Sequence, residues 1–143
     1  MQDLLINSLS FLDYYAGEFR IVISDNEKYF NLGTLKRDGS FVDTPVWFAQ
    51  EADAEVYLVL ANANSGKVKR IRNFKDAQVA VCDWKGGLKG EWQKAEVKLV
   101  DELESHPRLF RAKYGLQFRI FEFFSWLSGK RKERQMILVT ILD

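Results

Sequence analysis

The chain has 143 residues, of which 47% are hydrophobic and 14% aromatic, and a formal net charge of +1. This is a globular composition, long enough to bury roughly two-thirds of the unfolded surface, and its near-balanced charge argues against a surface built for nucleic acid. A single cysteine, Cys82, and a single histidine, His106, exclude an internal disulfide, a cysteine zinc site and any centre needing several histidines.

Residues 3–16 carry Leu5, Leu9, Leu12 and Tyr15 at helical spacing, with Gly17 as a stop. Asp3 stands where a signal peptide would carry positive charge, and no small-residue cleavage pattern follows. No apolar run approaches the roughly 18 residues of a membrane span. The expectation is a soluble, cytoplasmic protein. Residues 19–23 form a short β-like run of no evident role.

Residues 28–35 read as a strand. Arg37, Asp38, Gly39 and Ser40 then mark a hairpin, because glycine accepts the positive φ such turns need. Residues 41–49 are the return strand. Pro45 inside it removes a ladder donor, so it belongs at an edge or bulge. A polar turn over 51–54 leads to a strand over 55–61. There Val56, Leu58 and Leu60 fall on one face, and Tyr57 and Val59 on the other, so both faces are covered.

Residues 65–74 read as a short helix, and four cations crowd into it: Lys67, Lys69, Arg70 and Arg72. Ser65 suits the N-cap, and Gly66 allows close approach to the backbone. Val68 and Ile71 make a dry face, while Lys67 and Arg70 make a wet face above a helix terminus that favours anions. The run fits a phosphate site, a solvated basic face or a nucleic-acid patch. It matches neither a P-loop nor a dinucleotide fingerprint.

A strand over 77–84 and a turn at Lys85, Gly86 and Gly87 follow, then a long strand over 89–100. Residues 106–127 form an aromatic helix or a helix pair broken at Gly115. Phe110, Tyr114, Phe118 and Phe121 share a face; Leu109, Leu116, Phe123 and Phe124 lie on others, as if a second subunit covered them. Gly129 ends the helix, residues 130–134 are a solvated basic run, and 136–142 are a final buried strand. The architecture is mainly β, a small antiparallel barrel with helices outside. It is one domain over 1–143, with a helical extension over 1–25 and the long helix, 106–128, before the last strand.

Catalytic side chains find little support. His106 before Pro107 reads as a cap or surface residue, since no base–nucleophile pair includes it. The serines lack a nucleophile elbow. Asp101, Glu102 and Glu104 read as a solvated strand end, and Cys82 as a core residue. No catalytic residue and no metal ligand set is assigned. The tryptophans Trp47, Trp84, Trp92 and Trp126 read as core or interface, or as stacking partners for a planar ring. An anion site beside a proline-interrupted strand suits a planar cofactor with a phosphate tail.

Four stretches carry a family resemblance: LGTLKRDGSFVDTPVWFA, SGKVKRIRN, VAVCDWKGGLKGEW and AKYGLQFRIF. In this order they resemble the pyridoxamine 5'-phosphate oxidase-like split barrels, nearest to the branch of coenzyme F-420-dependent enzymes. The resemblance covers the chain from about residue 28 onwards. It implies a six-stranded antiparallel split β-barrel of the FMN-binding type, forming a homodimer with cofactor sites at the interface. By motif position, Pro45, Val46 and Trp47 would border the ring. Asn62, Ser65, Gly66, Lys67 and Arg70 would hold the phosphate with Lys69 nearby, and Trp92 would approach from the partner strand. The implied cofactor is FMN, with the deazaflavin coenzyme F-420 as alternative, and the implied activity is hydride transfer to or from a small organic substrate. A non-catalytic FMN or haem carrier or sensor stays open, and neither nucleic acid nor a membrane is an expected partner.

Overall fold

The structure, a computed structural model, describes residues 23–51, 55–129 and 133–142. The expected helix at 3–16, its stop at Gly17, most of the run over 19–23 and parts of the stretches at 51–54 and 130–134 lie outside the described residues. Seven strands and three helices follow in order: β1 (Tyr29–Leu35), β2 (Phe41–Val46), β3 (Ala49–Gln50), β4 (Val56–Asn62), α1 (Gly66–Asn73), β5 (Asp76–Cys82), β6 (Gln93–Val100), α2 (Ser105–Tyr114), α3 (Leu116–Leu127) and β7 (Arg134–Ile141). All strand pairings are antiparallel, in the order β2-β1-β5-β6-β7-β4-β3.

That order forces the sheet to curl. β2 is one edge and β3 the other, yet only Trp47 and Phe48 separate them. Three Cα steps reach at most about 11 Å, whereas the edges of a flat seven-stranded sheet would lie about 29 Å apart. The two edges must therefore be brought round to meet. The expected return strand over 41–49 is thus two strands, and the described residues form seven strands rather than six. Residues 41–46 pair with β1, then the chain turns across the seam, and Ala49 and Gln50 pair with β4. Pro45 sits in the edge strand β2 opposite Asn31, where its missing donor breaks no central ladder.

The β1–β2 turn follows the sequence expectation. Gly39 has φ 90°, and the Asp38 carboxylate accepts from the backbone N–H and hydroxyl of Ser40. The strand expected over 89–100 begins only at Gln93. Before it, Asp83 accepts from the N–H groups of Lys85 and Gly87 and shapes a turn in which Gly86 has φ 90°.

Two apolar clusters sandwich part of the sheet. The inner one joins Phe30, Leu32, Phe48, Tyr57, Val59, Ile137 and Val139 with Val68 and Ile71 of α1. The outer one joins Leu58 and Met136 with Phe110, Tyr114 and Phe118 of α2 and α3. β4 and β7 therefore bury both faces, as the continuous apolar reading of β4 requires. Gly115, with φ 59°, separates the two outer helices, so the aromatic segment is a helix pair. Phe123, Phe124 and Trp126 of α3 remain exposed.

One hydroxyl ties the outer layer to the seam. Tyr114 Oη accepts from the Phe48 N–H at 3.0 Å and lies 2.7 and 2.9 Å from the Lys28 and Phe48 carbonyls. Its ring stacks on Trp47 at 4.6 Å.

Candidate functional site

The seam opens onto a cavity of about 460 Å³. Pro45, Val46 and Trp47 form one wall, where β2 gives way to β3. Phe110, Phe118 and Phe121 of the helix pair form another, and Leu60, Ala61 and Asn62 close β4 beneath it. Phe110 and Phe118 stack at 5.4 Å, and Phe118 and Phe121 both lie about 6 Å from the Trp47 ring. The result is an aromatic surface whose rings hold one another in place.

The lining also has polar members. It gathers Asn62, Lys67, Glu133 and Arg134, with Ser125 from α3. α1 is built as its residues predict. Ser65 has extended backbone angles and its hydroxyl accepts from the Val68 N–H at 3.4 Å, capping the helix. Val68 and Ile71 are buried, so Lys67 is turned away from the core. The Asn62 carboxamide oxygen accepts from the Asn64 N–H at 2.7 Å and sets the turn into the helix. Burial, and then repulsion from Arg70, holds the Lys67 ammonium below its usual range. Lys67 has no salt-bridge partner among the described residues. A half-dry cation with a like charge beside it is complementary to an anion.

Of the ten residues expected at the site, five line this cavity: Pro45, Val46, Trp47, Asn62 and Lys67. Ser65 and Gly66 shape the helix start behind it. Lys69 is exposed on α1. Arg70 turns elsewhere: its Nε donates to Thr34 Oγ1 at 2.7 Å, and it lines a second, shallower hollow with Leu35, Arg37 and Phe74. The guanidinium also folds back over Gly66, where a Cβ would meet Nη1 at 2.9 Å. Trp92 precedes β6, is exposed and is not part of the wall.

Sequence reasoning missed the helical wall and Arg134. The spacing of Phe110, Phe118 and Phe121 marks a helix face but not what it faces. Arg134 reads as part of a solvated basic run, and the structure corrects this. Its side chain is only 6% exposed and pairs with Glu102, which is therefore no free strand end. The register that places Arg134 opposite Asn62 across β4 and β7 is the missing signal.

Other candidates take structural roles. Cys82 is buried, and burial pushes its thiol up to about 11, so it is unreactive. His106 is buried rather than exposed, and its Nδ1 accepts from the Leu103 N–H at 3.1 Å, a local cap. Among the described residues no cluster of three or more potential metal ligands occurs, and no helix is long and apolar enough to cross a membrane.

No family model and no curated protein sequence matches the chain. Solved structures do match it in shape. A Listeria innocua protein named for pyridoxamine 5'-phosphate oxidase is 16% identical, with 81% of this chain and 85% of that one covered and a TM-score of 0.54. The fold is the split β-barrel. An F420 reductase has a TM-score of 0.53 to it at 16% identity, over 83% of this chain and 90% of the other. HutZ, the haem storage protein of Vibrio cholerae, has a TM-score of 0.55 at 14% identity, over 82% and 83%. Split barrels named for oxidase, reductase and haem storage roles thus share one frame, and the function of this one must be argued from its own cavity.

Proposed function

We propose that this split barrel binds FMN, or the deazaflavin coenzyme F-420, in the seam cavity and acts as an oxidoreductase on a small organic substrate. One observation carries the reading: a mutually stacked aromatic wall around Trp47 shares its cavity with a half-dry cation, Lys67, that has no salt-bridge partner among the described residues. That pairing of flat apolar surface with a single anion end suits a planar ring with a phosphate tail. When bound, such a ring supplies the hydride chemistry, and the protein supplies position and electrostatics. The edge backbone at Pro45 and Val46 borders the ring. Tyr114 fixes Trp47 against it, and Lys67 and Asn62 hold the phosphate. A second copy of the chain, packed on the exposed aromatic face of α3, would complete a homodimer with the sites at its interface.

The absorbance spectrum of the purified protein is the test, with mass spectrometry of whatever heat releases. Bound FMN or deazaflavin supports the proposal. A colourless protein that takes up neither on titration refutes it.

A non-catalytic carrier of the same cofactor is the second reading. It is favoured by the cavity lining, where among the described residues no hydrogen-bonded nucleophile–base pair occurs. Loss of cofactor reduction by NADPH or reduced deazaflavin, with tight binding retained, would select it. Haem fits less well, because no His, Cys, Met or Tyr is among the described residues lining the cavity to supply an axial ligand.

A further inference from the structure

We infer that Arg134, at the start of the last strand, is the guanidinium that receives the anionic group of the cavity's ligand, together with Lys67. The inference rests on the cofactor-site reading and deepens it by replacing the expected arginine of the basic helix with one from β7.

The Arg134 side chain is more than nine-tenths buried. Glu102 engages two of its three nitrogens: Nε donates to Oε1 at 3.2 Å, and Nη2 donates to Oε2. The third, Nη1, is buried and has no hydrogen-bond partner among the described residues. A buried donor on a cation is costly to leave unmade, and this one belongs to a side chain that lines the cavity.

The carboxylate on one side of the guanidinium fixes its plane, so the remaining N–H groups are oriented before a ligand arrives. Such a fork is suited to phosphate or carboxylate oxygens. The fold places it correctly. Arg134 and Asn62 are ladder partners across β4 and β7, and Lys67 lies in the first turn of the helix that β4 leads into. Ala63 N–H donates to the Glu133 carbonyl at 2.6 Å and holds the two strand ends together. Two cations and an amide from three elements therefore line one cavity together with its aromatic walls. Arg70, by contrast, has its Nε held by Thr34 and lines the other hollow. The ligand class is a planar ring system ending in one compact anion, of which a phosphate monoester matches the two-cation end best.

The test titrates the full chain with FMN and with riboflavin, which has the same ring and no phosphate, following flavin fluorescence. Wild type is compared with Arg134→Gln and Arg134→Lys. Arg134→Gln is expected to weaken FMN binding roughly 10- to 100-fold, to leave riboflavin within about twofold, and to be partly rescued by Arg134→Lys. Unchanged FMN affinity, or equal losses for both flavins, overturns the inference, the second result marking Arg134 as structural. If Arg134→Gln does not fold, wild type crystallised with FMN decides. Phosphate oxygens within about 3.2 Å of Nη1 support the role, and a phosphate held elsewhere refutes it. If wild type binds neither flavin nor the deazaflavin coenzyme F-420, the cofactor reading falls, and inorganic phosphate becomes the probe in a thermal-shift assay. Stabilisation of wild type but not of Arg134→Gln keeps the anion site; equal stabilisation, or none, removes it.

Discussion

Tyr114→Phe removes one oxygen from the centre of the fold, and its cost can be set against an internal control. The hydroxyl accepts from the N–H of Phe48, a residue with no exposed surface, and its proton serves the Lys28 or Phe48 carbonyl. The substitution therefore loses a donated bond, worth about 1 kcal/mol, and strands a buried N–H at about 1–3 kcal/mol. The sum is about 2–4 kcal/mol, a large share of the 5–15 kcal/mol typical of a domain. At about 3 °C per kcal/mol for a chain of this length, Tm falls by about 6–12 °C. Tyr57→Phe deletes the same atom where it only donates, to the Ile23 carbonyl at 2.7 Å. That variant strands no N–H but leaves a buried carbonyl unpaired, and should lose about 1–2 kcal/mol, less than Tyr114→Phe. Urea unfolding of the three proteins measures both differences. Equal losses in the two variants, or a Tyr114→Phe loss below about 0.5 kcal/mol, would refute the claim that this hydroxyl pins the seam.

Three further outcomes are expected. Lys67→Gln should weaken FMN binding roughly 10- to 100-fold with little change in urea midpoint, since Lys67 has no salt bridge to lose; isothermal titration and denaturation run in parallel would check both halves. Because burial holds Lys67 below the usual lysine range, its charge is lost earlier as pH rises. FMN affinity should therefore decline at alkaline pH, and Lys67→Arg should move that decline upward, as a guanidinium stays charged. Folding stability should also fall between about pH 9 and 12. Burial raises Cys82 from 9.0 to about 11 and Tyr57 from 10.0 to about 12, so the folded chain keeps protons that the unfolded chain releases. That stabilisation is complete below pH 9 and lost through this window. Urea midpoints against pH test it, and Tyr57→Phe should flatten the upper part.

Much of this fold is legible because its rules are local. The Asp38-Gly39 hairpin, the Ser65 cap, the Val68–Ile71 face and the Gly115 break each depend on residues a few positions apart. Pro45 even signals an edge strand correctly. The seam is not legible, because no turn signal interrupts residues 46–49, and only the pairing of Ala49 with Leu58 shows that the chain has changed partners. The same holds for the site. The helix cations are visible as a run, but which of them turns to the cavity depends on Thr34, a residue 36 positions from Arg70. Arg134 hides in a charge-rich stretch, and its burial follows from Glu102, 32 positions away.

The seam and the anion end divide the work of the molecule in a way that mutation can separate. Trp47 belongs to both the barrel closure and the aromatic wall: the two-residue link forces the curl, and the stack on Tyr114 orients the ring that faces the cavity. A lesion there must lower stability and cofactor affinity together, because one set of contacts serves both. Lys67 and Arg134 differ. Lys67 and the Arg134–Glu102 ion pair both stand outside the apolar clusters. Combining Tyr114→Phe with Lys67→Gln should thus cost about the same unfolding free energy as Tyr114→Phe alone, since the two share no partner. Tyr114→Phe should weaken binding through the ring, and Lys67→Gln through the phosphate. Riboflavin separates the cases: its binding should fall with Tyr114→Phe and stay unchanged with Lys67→Gln. The reverse pattern would mean that the aromatic wall is core alone and the ligand lies elsewhere.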